Sequence, residues 1–190
     1  MFVDCELAVL ESIRQSLESD FFQFLMIGVS TTGNAGAIWI ALAIGLLFFQ
    51  KTRLAGLTVS LSLSLSAVFC NLTLKPAVQR LRPCDISDRV SEIIACPSDF
   101  SFPSGHTSAA FAAATAITFF YPKFGLLALL LAAITAFSRL YLFVHFPTDI
   151  LFGMLLGATC ALTAYSAVRF FHTVFWTKIR LNKQTREIND

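Results

Sequence analysis

The chain of 190 residues is 56% apolar and only 14% charged, whereas soluble domains carry about 25% charged residues. Its 14 basic and 12 acidic residues leave long charge-free stretches, and a membrane span needs about 20 apolar residues. This composition excludes an ordinary soluble globular protein and predicts an all-α, polytopic membrane protein. The net charge of +2 gives no electrostatic footprint for nucleic acid, so we expect none as a partner.

The first predicted element is an acidic, amphipathic N-terminal segment, residues 1–20. It lacks the positive n-region of a cleaved signal peptide, so we expect the N-terminus to be retained. The charge-free run 21–50 would form a helix of about 45 Å, too long for one crossing, and turn-forming residues at 30–36 interrupt it. We therefore predict two pieces, of which the first, residues 21–33, either spans the bilayer or lies in its interface.

Further charge-free stretches complete the predicted bundle. A single domain, residues 1–190, of about six helices is expected, with five full spans and a shorter N-terminal one. The five spans are residues 37–49, 54–74, 104–121, 124–144 and 147–170.

Basic residues in short loops predict the orientation of this bundle. Lys51, Arg53, Lys123 and the basic tail, residues 171–190, fall on one side if the spans alternate, and such residues are enriched in cytoplasmic loops. The opposite, extracytoplasmic side then holds the long loop, residues 75–103.

Charged and imidazole side chains collect at this predicted outer side. A charge near hydrocarbon costs at least a few kcal/mol, so Arg139 and Asp149 are functional candidates. Cations, backbone amides at a helix N-terminus and two imidazoles supply what phosphoryl transfer requires: charge neutralisation, donors, a nucleophile and an acid. The candidates are Lys75, Arg82, Ser104, Gly105, His106, Arg139, His145 and Asp149.

Structural explanations exist for these residues taken singly. Lys75 and Arg82 are also what interfacial snorkelling residues look like, and Arg139 with Asp149 could form a structural ion pair. The joint presence of both histidines and the turn at residues 103–106 favours a functional site.

Their spacing resembles the three-part signature of type 2 phosphatidic acid phosphatases. Lys75 is followed by six residues and Arg82-Pro83, then comes Pro103-Ser104-Gly105-His106. In the third part, Ser138-Arg139 is followed by five residues and His145, then by three residues and Asp149. No motif position departs from the pattern, and the resemblance implies a membrane lipid phosphatase with a six-helix core.

The resemblance also implies a role for each residue. His145 would attack phosphorus, Asp149 would hold its imidazole, and His106 would protonate the leaving oxygen. Because the surrounding cations repel a divalent ion, we expect no metal and no cofactor. The phosphate oxygens would be bound by Lys75, Arg82, Ser104, Gly105 and Arg139.

The resemblance to small bacterial members implies a multi-pass protein of the bacterial plasma membrane with an extracytoplasmic site. Undecaprenyl diphosphate is the first expected substrate, and phosphatidylglycerophosphate, phosphatidic acid and lipid A phosphate are alternatives. A non-catalytic protein that binds or transports polyprenyl phosphate is the alternative of another class. The sequence leaves the oligomeric state open.

Cys84 and Cys96 both lie in the long outer loop. A disulfide between them and two free thiols are equally compatible with the sequence. Between them, Ile86, Val90, Ile93 and Ile94 recur at helical spacing. This pattern indicates a short amphipathic helix that either lies on the outer membrane surface or packs against the bundle.

Overall fold

A computed structural model describes residues 2–33, 36–87 and 94–189, and within these ranges all regular secondary structure is helical. This confirms the predicted all-α class. The helices are α1 Phe2–Ser16, α2 Asp20–Thr32, α3 Ala37–Phe48, α4 Arg53–Ala67, α5 Lys75–Val78, α6 Pro83–Ile86, α7 Gly105–Thr118, α8 Pro122–Tyr141 and α9 Pro147–Asn189. A π-helical segment, Val68–Leu74, joins α4 to α5.

Helix α7 lies at the centre of the bundle, in contact with α4, α8 and α9. Its inner surface is made of alanines that are completely buried, so neighbouring backbones approach closely. On α9, a Cβ at Gly157 would stand 2.4 Å from the carbonyl oxygen of Ser108, and one at Gly153 would stand 2.9 Å from that of Ser104. These glycines therefore hold the start of α7 against the start of α9. The buried alanines are Ala110, Ala112, Ala113, Ala114 and Ala116.

Fewer of the described helices are long enough to span a membrane than the sequence predicts. Three segments are long and apolar enough to cross: Arg53–Ile86, Pro122–Tyr141 and Pro147–Phe175. The run 21–50 forms two helices, as predicted. The predicted span 37–49 is corrected, because α3 has 12 residues and makes a fourth crossing only together with α2, as a pair bent by 49°.

The predicted span 104–121 is corrected by α7, which has 14 residues and is therefore about 21 Å long. The hydrocarbon layer is about 30 Å thick. This helix can be shorter than a span because α4, α8 and α9 surround it.

The two ends of the bundle differ in charge and in the chain segments that they contain. At one end, the Tyr121 hydroxyl donates to the carbonyl of Lys51 over 3.2 Å, which joins two of the basic connections. The other end holds residues 75–87 and 94–104 and the connection between α8 and α9. The predicted loop 75–103 is not a simple loop, because it begins with α5 and α6. Gln79, with φ of 52°, ends α5 and reverses the chain.

The N-terminal helix α1 packs at this second end. Leu10 is completely buried against Phe143 and Phe146 of the connection between α8 and α9. Glu6 is also buried, with 6% of its surface exposed. The amphipathic N-terminal segment therefore covers the bundle end at which the candidate residues gather.

A disulfide joins Cys84 to Cys96, with their Cα atoms 5.9 Å apart. It connects α6 to the segment that precedes Asp99. Val90 and Ile93 of the predicted amphipathic helix lie outside the described residues, and within them α6 ends at Ile86.

Candidate active site

Each residue of the three-part pattern is placed at this second end by the start or end of a helix. Lys75 opens α5, Arg82 precedes α6, and Ser104 caps α7. Arg139 lies in the last turn of α8 and Asp149 in the first turn of α9. His145 lies in the connection between them. Helix termini leave unpaired backbone groups, so these helix ends and the connection that holds His145 together form a polar pocket in an otherwise apolar bundle.

His145 and Asp149 form the most buried part of this pocket. His145 is 1% exposed and Asp149 is completely buried, and His145 Nδ1 lies 3.6 Å from Asp149 Oδ2. Hydrogen bonds between catalytic groups are often long in unliganded structures. Since Nδ1 faces the carboxylate, Nε2 is left as the nitrogen that faces the rest of the pocket.

The environment of His145 keeps its imidazole neutral. Burial, together with the positive charges of Arg82 and Arg139, outweighs the Asp149 carboxylate and lowers the pKa of His145 from 6.5 to about 3. A neutral imidazole has the free nitrogen lone pair that a nucleophile needs.

Asp149 is fixed by donors from several parts of the chain. Its Oδ2 accepts from the Phe146 amide at 2.8 Å and from the Ser101 hydroxyl, and its Oδ1 accepts from Arg80 Nη1 at 2.7 Å. Arg80 in turn forms an ion pair with Glu6 of α1. Thr148 donates to Glu6 through its amide, at 3.0 Å, and through its hydroxyl, at 2.6 Å. The carboxylate beside His145 is therefore held in one position by a closed network.

Lys75 and Arg82 meet at a carboxylate that the sequence pattern did not include, Asp99. Lys75 Nζ binds Asp99 Oδ2, and Arg82 Nη2 donates to Asp99 Oδ1 at 2.6 Å. Arg82 also donates through Nη1 to the Val144 carbonyl at 2.7 Å, and the same nitrogen lies 3.2 Å from His145 Nε2. Although partial burial raises the pKa of Asp99, the two cations lower it overall to about 2.

A cavity of about 390 Å³ opens beside these cations. It is lined by Lys75, Asp99, Gly105 and His106 and by Asn71 from the π-helical segment. A Cβ at Gly105 would lie 3.2 Å from Asn71 Oδ1 and 3.9 Å from Lys75 Nζ, so the glycine leaves the helix N-terminus open towards the lysine. Backbone amides at such a position bind anions.

Three of the predicted phosphate ligands do not line this cavity: Arg82, Ser104 and Arg139. His145 does not line it either. Ser104 is completely buried, and its hydroxyl accepts from the amide of Thr107 at 3.4 Å and from its hydroxyl at 3.0 Å as the cap of α7. Arg139 donates to the Ser30 hydroxyl of α2. In the described part of the chain, its buried Nε atom has no hydrogen-bond partner, which leaves a donor available to a bound anion.

Sequence reasoning missed Arg80, Asp99, Ser101, Thr148 and Glu6. Four of them lie within or a few residues from the motifs, and a polar residue so near a motif is the one signal that was available. Glu6 carried no signal, because it reaches the site by the packing of α1 against α8.

An apolar groove of about 570 Å³ adjoins the cavity. Gly33 lines both, and a Cβ there would lie 3.4 Å from His106 Cδ2. Apolar side chains of α3 and α8, with Ile117 of α7, form the groove walls. A cavity that holds a lysine and adjoins an apolar groove fits a ligand with an anionic head and a hydrocarbon chain.

One group of ligand atoms within the described residues lies close enough to share a metal ion: Cys84, Asp85 and Cys96. The disulfide uses both of its sulfur atoms, so this group does not form a metal site.

Comparison with known proteins gives a consistent assignment. The PAP2 superfamily model matches residues 53–173. Undecaprenyl-diphosphatase of Sulfolobus acidocaldarius is 31% identical over 70% of this chain. The match covers 65% of that relative's length, just under two thirds. Phosphatidylglycerophosphatase B of Bacillus subtilis is 31% identical over 70% of this chain and 68% of its own.

A solved structure agrees with these relatives. The crystal structure of Aquifex aeolicus LpxE superposes with a TM-score of 0.73 at 25% identity, covering 84% of this chain and 94% of that one. The chain therefore belongs to the PAP2 superfamily.

Proposed function

We propose that this protein is a metal-independent lipid phosphatase that removes the terminal phosphate of undecaprenyl diphosphate. The observation that carries the proposal is the neutral His145, which is held by Asp149 and joined through Arg82 and Asp99 to a cavity that adjoins an apolar groove. The active site is proposed to face the extracytoplasmic side of a bacterial plasma membrane, since the basic connections lie at the opposite end of the bundle.

The reaction proceeds in two steps. His145 Nε2 forms a bond to the terminal phosphorus, while the bond from phosphorus to the bridging oxygen breaks and His106 donates a proton to that oxygen. Asp149 stabilises the positive charge that develops on the His145 ring. Water then attacks the phosphohistidine, His106 accepts its proton, and inorganic phosphate is released with His145 restored.

Charge neutralisation accounts for the remaining residues. Lys75, Arg82 and Arg139 bind the nonbridging oxygens, whose charge changes as the phosphoryl group is transferred. The Gly105 amide at the N-terminus of α7 adds a backbone donor. Ser104 supports this donor as the helix cap.

The substrate is tested by phosphate release from four lipids: undecaprenyl diphosphate, phosphatidylglycerophosphate, phosphatidic acid and lipid A. We expect the highest kcat/KM with undecaprenyl diphosphate. A higher value for any of the other three would contradict this substrate assignment. The main competitor is phosphatidylglycerophosphate, which the name of the Bacillus subtilis relative favours.

Enzymatic function is separated from lipid binding by the same assay. A non-catalytic polyprenyl-phosphate binding or transport protein would bind these lipids and release no phosphate from any of them. The proposal requires release by the intact protein.

Metal independence has its own measurement. Activity of the purified protein should be unchanged after treatment with EDTA and removal of metal ions. Loss of activity that magnesium restores would contradict the proposed mechanism.

A further inference from the structure

Asp99 places a carboxylate between two cations of the candidate site. One of its oxygens binds Lys75 and the other accepts from Arg82 Nη2 at 2.6 Å. Lysine and arginine side chains bind phosphate in the same way, with two oxygens of one anion each contacting a different cation. The chain's own carboxylate therefore occupies an anion position beside the nucleophile.

Burial differs sharply between the carboxylate and its partners. The side chains of Lys75 and Arg82 are 8% and 2% exposed, whereas that of Asp99 is 55% exposed. Buried cations without a counter-ion are costly, so an anion is needed whenever no substrate is bound. Because Asp99 lies at the mouth of the cavity, its side chain can turn into water while the two cations stay in place.

Arg82 links this carboxylate to the nucleophile. Its Nε donates to the Asp99 carbonyl at 2.8 Å, and its Nη1 lies 3.2 Å from His145 Nε2. Asp99 thus holds Arg82 against the nitrogen that would attack phosphorus. His145, at 1% exposure, is covered in this arrangement.

We propose that Asp99 is a displaceable internal anion, which a phosphate group must replace on Lys75 and Arg82 in order to bind. This inference rests on the proposed function, in which those two cations bind phosphate. A phosphate dianion carries more charge and more acceptor oxygens than a carboxylate, so it displaces Asp99. After the reaction, Asp99 competes with inorganic phosphate, the last product, for the two cations. This competition lowers the affinity of the site for the product.

The test is binding of inorganic phosphate to the purified full-length protein in detergent, measured by titration calorimetry. Asp99→Asn keeps the shape of the side chain and removes its charge. If the internal anion leaves the cations free for about one tenth of the time, its removal tightens the apparent Kd about tenfold. Asp99→Ser should tighten binding in the same direction, and Asp99→Glu, which keeps the charge, should bind phosphate as weakly as the unmodified protein.

Asp20→Asn is the matched control for the loss of one negative charge. Asp20 is exposed at the start of α2, and this variant should bind phosphate as the unmodified protein does. An equal tightening in Asp20→Asn would mean that net charge alone is responsible and would overturn the proposal.

The direction of the change separates displacement from positioning. If Asp99→Asn binds phosphate equally or more weakly, Asp99 orients the cations for the substrate and is not its competitor. Failure of both Asp99→Asn and Asp99→Ser to fold would show that the carboxylate is required by the structure, which contradicts a displaceable role.

Binding does not require turnover, so the result is independent of the proposed reaction. Tighter phosphate binding in a protein that hydrolyses none of the lipids would support the internal anion and contradict the phosphatase. If the protein hydrolyses lipid phosphate but Asp99→Asn binds phosphate no more tightly, the phosphatase is supported and the internal anion is contradicted.

Discussion

The two sides of the candidate site differ in whether a cavity reaches their polar groups. On the nucleophile side, His145 and Asp149 are buried, and the carboxylate accepts from Ser101, the Phe146 amide and Arg80. On the phosphate side, His106 and Lys75 line an open cavity. This contrast favours a mechanism in which the proposed nucleophile, His145, is positioned in advance and the substrate binds on the phosphate side.

The two sides also differ in which segments of the chain contact them. The nucleophile side is supported by α1 through Glu6 and by the segment 79–82 through Arg80. The phosphate side faces the gap between α3, α4 and α7. Substitutions on the two sides should therefore have different consequences.

Loss of the nucleophile should have the largest effect. We expect His145→Ala to lower kcat by about 10⁴-fold or more, because loss of a nucleophile removes the covalent pathway. Phosphate release measures this, with His172→Ala as the control, because His172 lies farther along α9, away from the candidate site. Substantial activity in His145→Ala would mean that another group attacks phosphorus.

Loss of the acid on the phosphate side should have a smaller effect that depends on the substrate. We expect His106→Ala to lower kcat by about 10²- to 10⁴-fold with phosphatidic acid, whose leaving group is an alcohol that needs a proton, the range typical of general acid–base catalysis. With p-nitrophenyl phosphate, whose leaving group needs no proton, formation of the phosphoenzyme should be much less affected. Equal losses with both substrates in single-turnover measurements would contradict this role.

The support of the nucleophile side should appear in stability. Arg80→Ala leaves Asp149 and Glu6 without their cation, and breaking a buried ion pair in this way costs about 3 kcal/mol. The free energy of unfolding in detergent measures the loss. Lys51→Ala removes an exposed cation at the other end of the bundle and should change stability little; equal losses would remove the distinction between the two ends.

The disulfide should stabilise the phosphate side. Replacing Cys84 and Cys96 together by serine should lower the free energy of unfolding by about 2 to 3 kcal/mol in the chain-entropy model. Cys5→Ser, at an exposed free cysteine, is the control. A paired variant as stable as the control would show that the bridge contributes little.

The smallest effect near neutral pH concerns the buried imidazole. The pKa of His145 is about 3 in the folded protein and 6.5 without burial, so between these values the unfolded chain binds a proton that the folded chain does not. The effect of His145 on the free energy of unfolding is therefore constant above pH 6.5. As the pH falls from 6.5 towards 3, this residue destabilises the fold increasingly. Unfolding measured from pH 8 to 4 should show less loss of stability in His145→Gln.

The sequence signature located most of the site because its residues lie at the ends of helices whose apolar runs are easy to identify. All eight candidates lie at one end of the bundle. The signature could not predict Asp99 as a partner of Lys75 and Arg82, since that contact depends on how residues 94–104 return across the cavity. Glu6 was equally hidden, because only the packing of α1 brings it to Arg80. The length of α7 was overestimated, since a hydrophobic run does not distinguish lipid contact from burial among neighbouring helices.

The most direct test of a covalent mechanism is to trap the intermediate. The purified protein is mixed with undecaprenyl diphosphate labelled in its terminal phosphate, quenched in alkali within milliseconds, and digested for peptide mapping. We predict an acid-labile, alkali-stable phosphate on His145 that accumulates further in His106→Ala. Hydrolysis of the lipid without any label on His145, or with the label on another residue, would contradict the proposed mechanism.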